Sequence, residues 1–407
     1  MKKPWEISIN DYSYQLPAER IAQFPLKDRD ASRLLFFNGT STQSKFFQDL
    51  PSLLPPHSLL VLNATKVVKA RLYFTNKTGG QIEVFCLEPI SQLPSQALES
   101  NRSTIWKTMV GGLKKWKEET LLLEIAGNQS ILLKAKRLSV NGNIVDVEFS
   151  WTPEDLSFSE VLESAGKVPL PPYMKREVQE EDENRYQTTY NKIPGSVAAP
   201  TAGLHFTNKV LDKIRQDGHQ TAELCLHVGA GTFAPVKADS MEHHSMHAEW
   251  FEVELGVLES LKKQGENPII AVGTTSMRTL ETLYWLGVKL SKGIQLQTSS
   301  YCLTQWEPYQ LQSTLSFSES LDFLISYLYS KNLKSFIGQT QILIAPGYQF
   351  KAVKGLITNF HQPNSTLLLL IAAFIGESWR DLYEFALQND YRFLSYGDSS
   401  FLIKTEA

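Results

Sequence analysis

The sequence predicts a layered α/β protein carrying an inserted small antiparallel β-barrel. Two patterns point to it. Over most of the chain, short apolar runs end in polar or glycine-rich turns and give way to helical periodicity, the signature of alternating strands and helices. Between Arg71 and Trp151 the pattern changes to short stretches in which apolar and polar residues alternate, with Gly and Asn at the breaks. A length of 407 residues with 42% hydrophobic side chains suits two domains and a large core. On this reading residues 1–70 and 152–407 form one discontinuous α/β domain, and residues 71–151 form the inserted barrel.

In chain order, the run Leu59 to Leu62 is the first buried strand and leads into the turn Asn63-Ala64-Thr65. Gln81 to Cys86 and Asn143 to Phe149 alternate as barrel strands should. Thr207, Val210, Leu211 and Ile214 are spaced for a helix that stops at Gly218. The strand Thr221 to Val228 follows, with Ala222, Leu224, Leu226 and Val228 on one face and Glu223, Cys225 and His227 on the other. Ile269 to Val272 runs into Gly273-Thr274-Thr275-Ser276 and then a helix with Thr275 or Ser276 as N-cap, Leu280, Leu283 and Tyr284 on one face and Gly287 as a stop. The same unit recurs as the strand Gly355 to Phe360, the loop His361 to Asn364 and a helix capped by Ser365 or Thr366. Glu88 to Thr104, Glu177 to Glu183 and Lys292 to Thr340 read as loops or linkers, the last also mixing helix-like apolar spacing at Leu321, Leu324 and Tyr327 with polar segments.

Forty basic and 43 acidic residues leave a net charge of −3, so any polyanion must be met by local patches rather than by the whole surface. Cys86, Cys225 and Cys302 lie far apart with no CxxC pair, which argues against a disulfide framework and a cysteine-built zinc site and favours a reducing, cytoplasmic setting. Met1 to Asp11 lacks an apolar signal core. The apolar run Leu367 to Ile375 is about half of the ~20 residues a membrane span requires, so it reads as a core helix and no membrane contact is expected.

Seven of the eight histidines follow residue 200. His244, His247 and Glu249 lie within one short segment, and they suit metal ligation, a general base with its partner, or neither. A metal-dependent hydrolase is one reading of them. His227 precedes Gly229-Ala230-Gly231-Thr232, where glycines allow close backbone approach to a ligand but lack the spacing of a dinucleotide or phosphate loop. Gly273 to Ser276 at a helix start, with Arg278 in the first turn, suits a carboxylate or simple capping. Lys114 to Lys117, and Lys175, Arg176, Arg185 and Tyr186, combine cations with aromatic rings as nucleic-acid surfaces do; a non-catalytic RNA-binding protein is the second alternative.

Long ordered segments resemble the queuosine ribosyltransferase-isomerase family from end to end. They include Arg29 to Arg33, Leu60 to Asn63, Pro169 to Tyr173, Pro194 through Thr207, Leu226 to Phe233, Val272 to Ser276 with Arg278, Pro346 to Tyr348, Thr358 to His361 and Ser395 to Asp398. The chain departs from the family pattern at Ala64 and Lys66, where Asp and Arg are usual, and Leu286 to Thr340 reads as a surface addition to the family core.

The resemblance implies transfer and isomerisation of the ribosyl part of S-adenosylmethionine onto 7-aminomethyl-7-deazaguanine at the tRNA wobble position, releasing adenine and methionine. It implies no metal or organic cofactor, S-adenosylmethionine being a substrate, and a monomer whose partner is that tRNA. A carbon beside the sulfonium must lose a proton, and a near-neutral base suits the task, so His205, His227, His247 and His361 are the candidates, with Asp398 as a proton donor. Phe206, Phe233, Tyr348, Tyr396 and Glu249 are expected around the sulfonium, Gly273, Thr274, Thr275, Ser276 and Arg278 at the methionine carboxylate, and Lys175, Arg176, Arg185 and Tyr186 on tRNA.

Overall fold

The computed structural model describes residues 3–126, 130–229, 236, 238–294 and 301–404. Its strands in chain order are β1 Arg33–Phe37, β2 Thr42–Phe46, β3 Leu59–Asn63, β4 Thr65–Val67, β5 Arg71–Thr75, β6 Gln81–Pro89, β7 Ser103–Gly111, β8 Thr120–Ile125 and β9 Ile131–Asn141. They continue with β10 Ile144–Thr152, β11 Ile193–Ser196, β12 Gln220–His227, β13 Glu249–Glu254, β14 Ile269–Val272, β15 Cys302–Leu303, β16 Ser335–Thr340, β17 Gly355–Asn359 and β18 Ser399–Ile403.

Apolar runs buried on both faces form the middle of the main sheet, whose order is β15-β16-β13-β12-β3-β14-β17-β18-β1-β2. The four central strands β12, β3, β14 and β17 are parallel, so their carboxyl ends open on one edge. β3, β14 and β17 are buried at every residue, which is why they read as continuous apolar runs rather than as alternation. The second sheet, β5-β6-β7-β10-β9-β8, is antiparallel throughout, and its outer strands β5 and β8 approach each other to leave a nearly closed barrel. Alternation there places Val145, Val147 and Phe149 inside. The barrel core also takes in Phe158, Val161 and Leu162 of the helix Phe158–Ala165, just past the residue 151 boundary read from the sequence.

The two layers over the main sheet are legible in their caps. Thr207 caps Asn208–Gln216 by accepting from the Val210 N–H, and Ser365 caps Thr366–Ile375 by accepting from the Leu368 N–H. Several expectations are corrected. The helix Thr274–Ser291 has Gly273 as its N-cap rather than Thr275 or Ser276, and it continues through Gly287. Gly287 is instead a contact point: a Cβ there would lie 2.2 Å from the Ser320 carbonyl oxygen of the crossing helix Phe317–Lys331. That crossing helix buries Leu321, Leu324, Ile325 and Leu328, and β16 joins the main sheet, so parts of Leu286 to Thr340 pack into the core and the segment does not lie wholly on the surface. The linkers Glu88 to Thr104 and Glu177 to Glu183 include the helix Pro94–Glu99 and part of the helix Glu180–Arg185.

Gly287→Ala is expected to cost about 1–3 kcal/mol through overpacking. Gly256→Ala, whose Cβ would meet open space in the helix Leu255–Lys263, should be neutral or stabilising by up to about 1 kcal/mol. Urea unfolding of both variants checks the pair.

Candidate functional site

The parallel strands end at a cleft with about 880 Å³ of empty space open to solvent. Gly273, Thr274 and Thr275 follow β14, Thr358 to Ser365 form the end of β17 and its loop, and Val228 follows β12. Tyr173, Pro200, Thr201 and Ser395 complete the wall. Crevices beyond the carboxyl ends of parallel strands are the usual ligand positions of α/β sheets. Gly273 adopts φ 94°, a region open mainly to glycine, and so turns the chain from β14 directly into its helix. The first-turn N–H groups of Thr274, Thr275 and Ser276 have no carbonyl partner inside the helix and favour an anion.

His361 borders this cleft. Its Nε2 lies 3.1 Å from Thr358 Oγ1, its backbone N–H donates to Tyr383 Oη, and its carbonyl accepts from Tyr14 Oη. Nδ1 has no hydrogen-bond partner among the described residues. Burial lowers the imidazole to about 3, so it is neutral at pH 7. The Tyr173 hydroxyl pairs with Ser395 Oγ and is pushed up to about 12 by burial.

A second cavity, with about 1180 Å³ of empty space, lies between barrel and main sheet and adjoins the first at Val228. His227, exposed His247 and Glu249 face Trp106, Lys107 and Met109 of β7 across it. His227 Nδ1 lies 3.0 Å from the Gly195 carbonyl oxygen and Nε2 lies 3.7 Å from Cys225 Sγ, and burial lowers its pKa. A Cβ on Gly195 would stand 2.3 Å from His227 Nδ1, so only glycine admits this ring position.

The other expected site residues fall elsewhere. His205 is buried behind the cleft, with Nδ1 at 2.8 Å from Ser32 Oγ and Nε2 at 3.1 Å from Asn359 Nδ2; burial, then Arg392 and Arg29, lower it to about 3. Both ring nitrogens are engaged. Asp398 accepts from the backbone N–H groups of Arg33 and Arg392 and fixes a turn. Arg278 and Glu249, 5% and 6% exposed, pair with each other at 2.5 Å, and Arg278 Nε donates to the Ile342 carbonyl. Tyr348 donates to buried Glu281, away from both cavities. Tyr396 donates to Asp182, which also takes a bidentate pair from Arg176. Arg185 donates to the Leu26 and Lys27 carbonyls, Tyr186 is fully buried, and Lys175 is exposed. Phe206 is buried against Phe47 in the core. Phe233 lies outside the described residues. Among the described residues no three His, Cys, Asp or Glu side chains form a group that could hold a metal.

The profile of the queuosine biosynthesis protein family matches residues 9–402. The chain belongs to this family. It is 38% identical over 403 residues to the S-adenosylmethionine:tRNA ribosyltransferase-isomerase of Azoarcus sp. (strain BH72), a match covering 98% of this chain and 99% of that one. The enzyme of the same name from Herminiimonas arsenicoxydans is 36% identical over 401 residues, covering 98% of each. A crystal structure of S-adenosylmethionine tRNA ribosyltransferase from Thermotoga maritima is similar with 28% identity and a TM-score of 0.47, covering 97% of this chain and 100% of that one. The family resemblance read from the sequence is borne out.

Thr358, Asn359, Tyr173 and Ser395 line the cleft without having been singled out individually, although each sits in a segment that carries the family resemblance. Ala64, where the family usually has Asp, is buried in an apolar cluster with Leu62, Tyr190 and Phe206 and lines neither cavity.

Two measurements test this geometry. His205 and His361 stay neutral down to about pH 3 when folded but take up protons near 6.5 when unfolded. The unfolded chain therefore binds more protons between those values, and stability falls as pH drops from about 6.5, by about 1.4 kcal/mol per pH unit for each group. Urea midpoints at pH 7 and 5 should show this slope, reduced in His205→Gln and His361→Gln. Gly195→Ala should shift the imidazole NMR signals of His227 while leaving those of His361 in place.

Proposed function

We propose that this chain transfers and isomerises the ribosyl moiety of S-adenosylmethionine onto 7-aminomethyl-7-deazaguanine at the wobble position of tRNA, releasing adenine and methionine. The observation that carries the reading is a cleft at the strand ends, walled by Thr358 to His361 and Gly273 to Thr275, in a chain of the queuosine biosynthesis family. S-adenosylmethionine is the substrate that fills this cleft, and the reading calls on no further cofactor. The chain acts as a monomer in the cytoplasm, where its tRNA is found; among the described residues no helix is long and apolar enough to cross a membrane.

The positive sulfonium makes the neighbouring ribose C–H acidic, and a neutral imidazole is the form that accepts its proton. His361 fits this role best by position, its ring held by Thr358 at the border of the cleft, although burial makes it a weaker base than the near-neutral one expected from the sequence. His227 and His247 stand in the adjoining cavity, suited to the aminomethyl nitrogen, which must lose a proton as it bonds to the ribosyl carbon. The methionine carboxylate faces the first-turn N–H groups of Thr274 to Ser276 rather than Arg278, whose charge Glu249 already balances. Tyr173 and Phe360 supply aromatic surface to the cleft in place of Tyr348 and Tyr396. Lys175 meets tRNA phosphates, while Arg176, Arg185 and Tyr186 hold the surface beneath it. The chain divides into residues 1–70 with 152–407, and 71–151, with tRNA entering between the two.

Purified protein incubated with S-adenosylmethionine and tRNA bearing 7-aminomethyl-7-deazaguanine should release adenine and yield the epoxyqueuosine nucleoside by mass analysis. His361→Ala should lower the rate by about 100-fold or more while the protein stays folded. A folded wild-type chain that binds this tRNA and releases no adenine would refute the assignment.

A further inference from the structure

Asn359, at the end of β17, is 3% exposed and borders the cleft. Its Nδ2 is doubly committed, to the Leu394 carbonyl at 3.2 Å and to His205 Nε2 at 3.1 Å. The Leu394 carbonyl can only accept, so the amide nitrogen faces it, and the matching tautomer of neutral His205 carries its proton on Nδ1 toward Ser32 Oγ and leaves Nε2 to accept from the amide. Leu394 completes the lock from an unusual backbone: at φ 68° it occupies a region a branched side chain rarely enters, and its carbonyl receives the amide there. Turning the amide over would set Oδ1 against the Leu394 carbonyl, so that carbonyl determines the orientation.

The consequence is an orphan. Asn359 Oδ1 is buried with no donor among the described residues, and so is Asn364 Oδ1 on the same wall of the same cleft. Buried amide oxygens are rarely left without a donor, because the unmade bond costs free energy that folding does not return. Two such acceptors flanking His361 mark a wall built for a ligand rich in N–H donors.

We propose that Asn359 is a specificity-determining residue whose Oδ1 accepts a hydrogen bond from an amino or ammonium N–H of the S-adenosylmethionine bound in the cleft. The inference rests on the functional reading above and adds to it how the substrate is told apart from near relatives. Ser32, His205 and Leu394 are positioning residues, acting through the amide and not on the ligand. A site that meets a buried acceptor with a ligand donor rejects analogues lacking the donor, since the acceptor is then unpaired.

Isothermal titration on the full chain tests this with three probes: S-adenosylhomocysteine, its inosyl counterpart with a carbonyl in place of the 6-amino group, and its analogue lacking the α-amino group. The wild-type protein is expected to bind one of the two analogues about five- to tenfold more weakly than S-adenosylhomocysteine through this bond. Asn359→Leu should bring that same ratio close to one, and Asn359→Asp, which keeps an acceptor oxygen, should preserve it. The analogue whose penalty disappears identifies the donor as the adenine amine or the methionine ammonium. Thermal unfolding checks that the variants are folded, and Asn359→Ser takes the place of Asn359→Leu if that variant is not. Equal wild-type binding of all three probes overturns the inference, as does a folded Asn359→Leu or Asn359→Ser variant that retains both wild-type ratios, or a folded Asn359→Asp variant that loses them. Failure of S-adenosylhomocysteine to bind the wild-type chain overturns the functional reading as well.

Discussion

Asn63 sits fully buried at the end of β3, and its amide ties β3 to β4 and to β12, the strand that carries His227 and leads into Val228. Oδ1 accepts from the backbone N–H groups of Thr65 and Leu226, and Nδ2 donates to the Leu226 carbonyl. Thr65 Oγ1 stands 2.8 Å from both Asn63 Oδ1 and Ser196 Oγ, and Ser196 in turn donates to Leu226 and accepts from the Val228 N–H. A polar group placed this deep is tolerable only when satisfied, so the knot forms in one geometry or not at all. That geometry sets the separation of β3 and β12, the path through β4 into the barrel, and the place of β11. Val228, the wall shared by the two cavities, and Gly195, against which His227 rests, follow from it.

Charge is handled in the same way around the site. Arg278 and Glu249 neutralise each other beside the second cavity, and Asp182 gathers Arg176 and Tyr396. Glu281, its pKa raised chiefly by burial, accepts from the Tyr348 hydroxyl and the backbone N–H groups of Lys351, Ala352 and Val353. With these charges paired, the first cleft is lined by apolar side chains and neutral polar groups: hydroxyls, amides, a helix N-terminus and an imidazole kept uncharged by burial. Such a lining suits a ligand that carries both a sulfonium and a zwitterionic tail, since fixed dipoles orient it without holding an opposing charge in permanent competition.

The sequence by itself determined the elements with strong local signals. Buried runs such as Leu59 to Leu62 and Ile269 to Val272 read as strands, alternation marked the barrel, the spacing of Thr207, Val210, Leu211 and Ile214 marked one helix and Ser365 announced another as its cap. The ordered family segments determined the family, and several of them meet at the cleft. Packing alone decided that Gly287 is a helix crossing rather than a helix end, because the carbonyl that excludes a Cβ there comes from Ser320 on another helix. The apolar spacing at Leu321, Leu324 and Tyr327 hinted at the helix Phe317–Lys331, but its place in the core, like that of β16, was decided only by packing, the helix against Thr274–Ser291 and the strand against β13. The roles of individual polar residues were the least legible. Residue type tells that an arginine, aspartate or histidine can meet a substrate, but whether it does depends on which partner, far away in sequence, has already taken its hydrogen bonds. Arg278, Asp398 and His205 are engaged by Glu249, by backbone N–H groups and by Ser32 with Asn359, whereas His361 reaches the cleft with a ring nitrogen to spare.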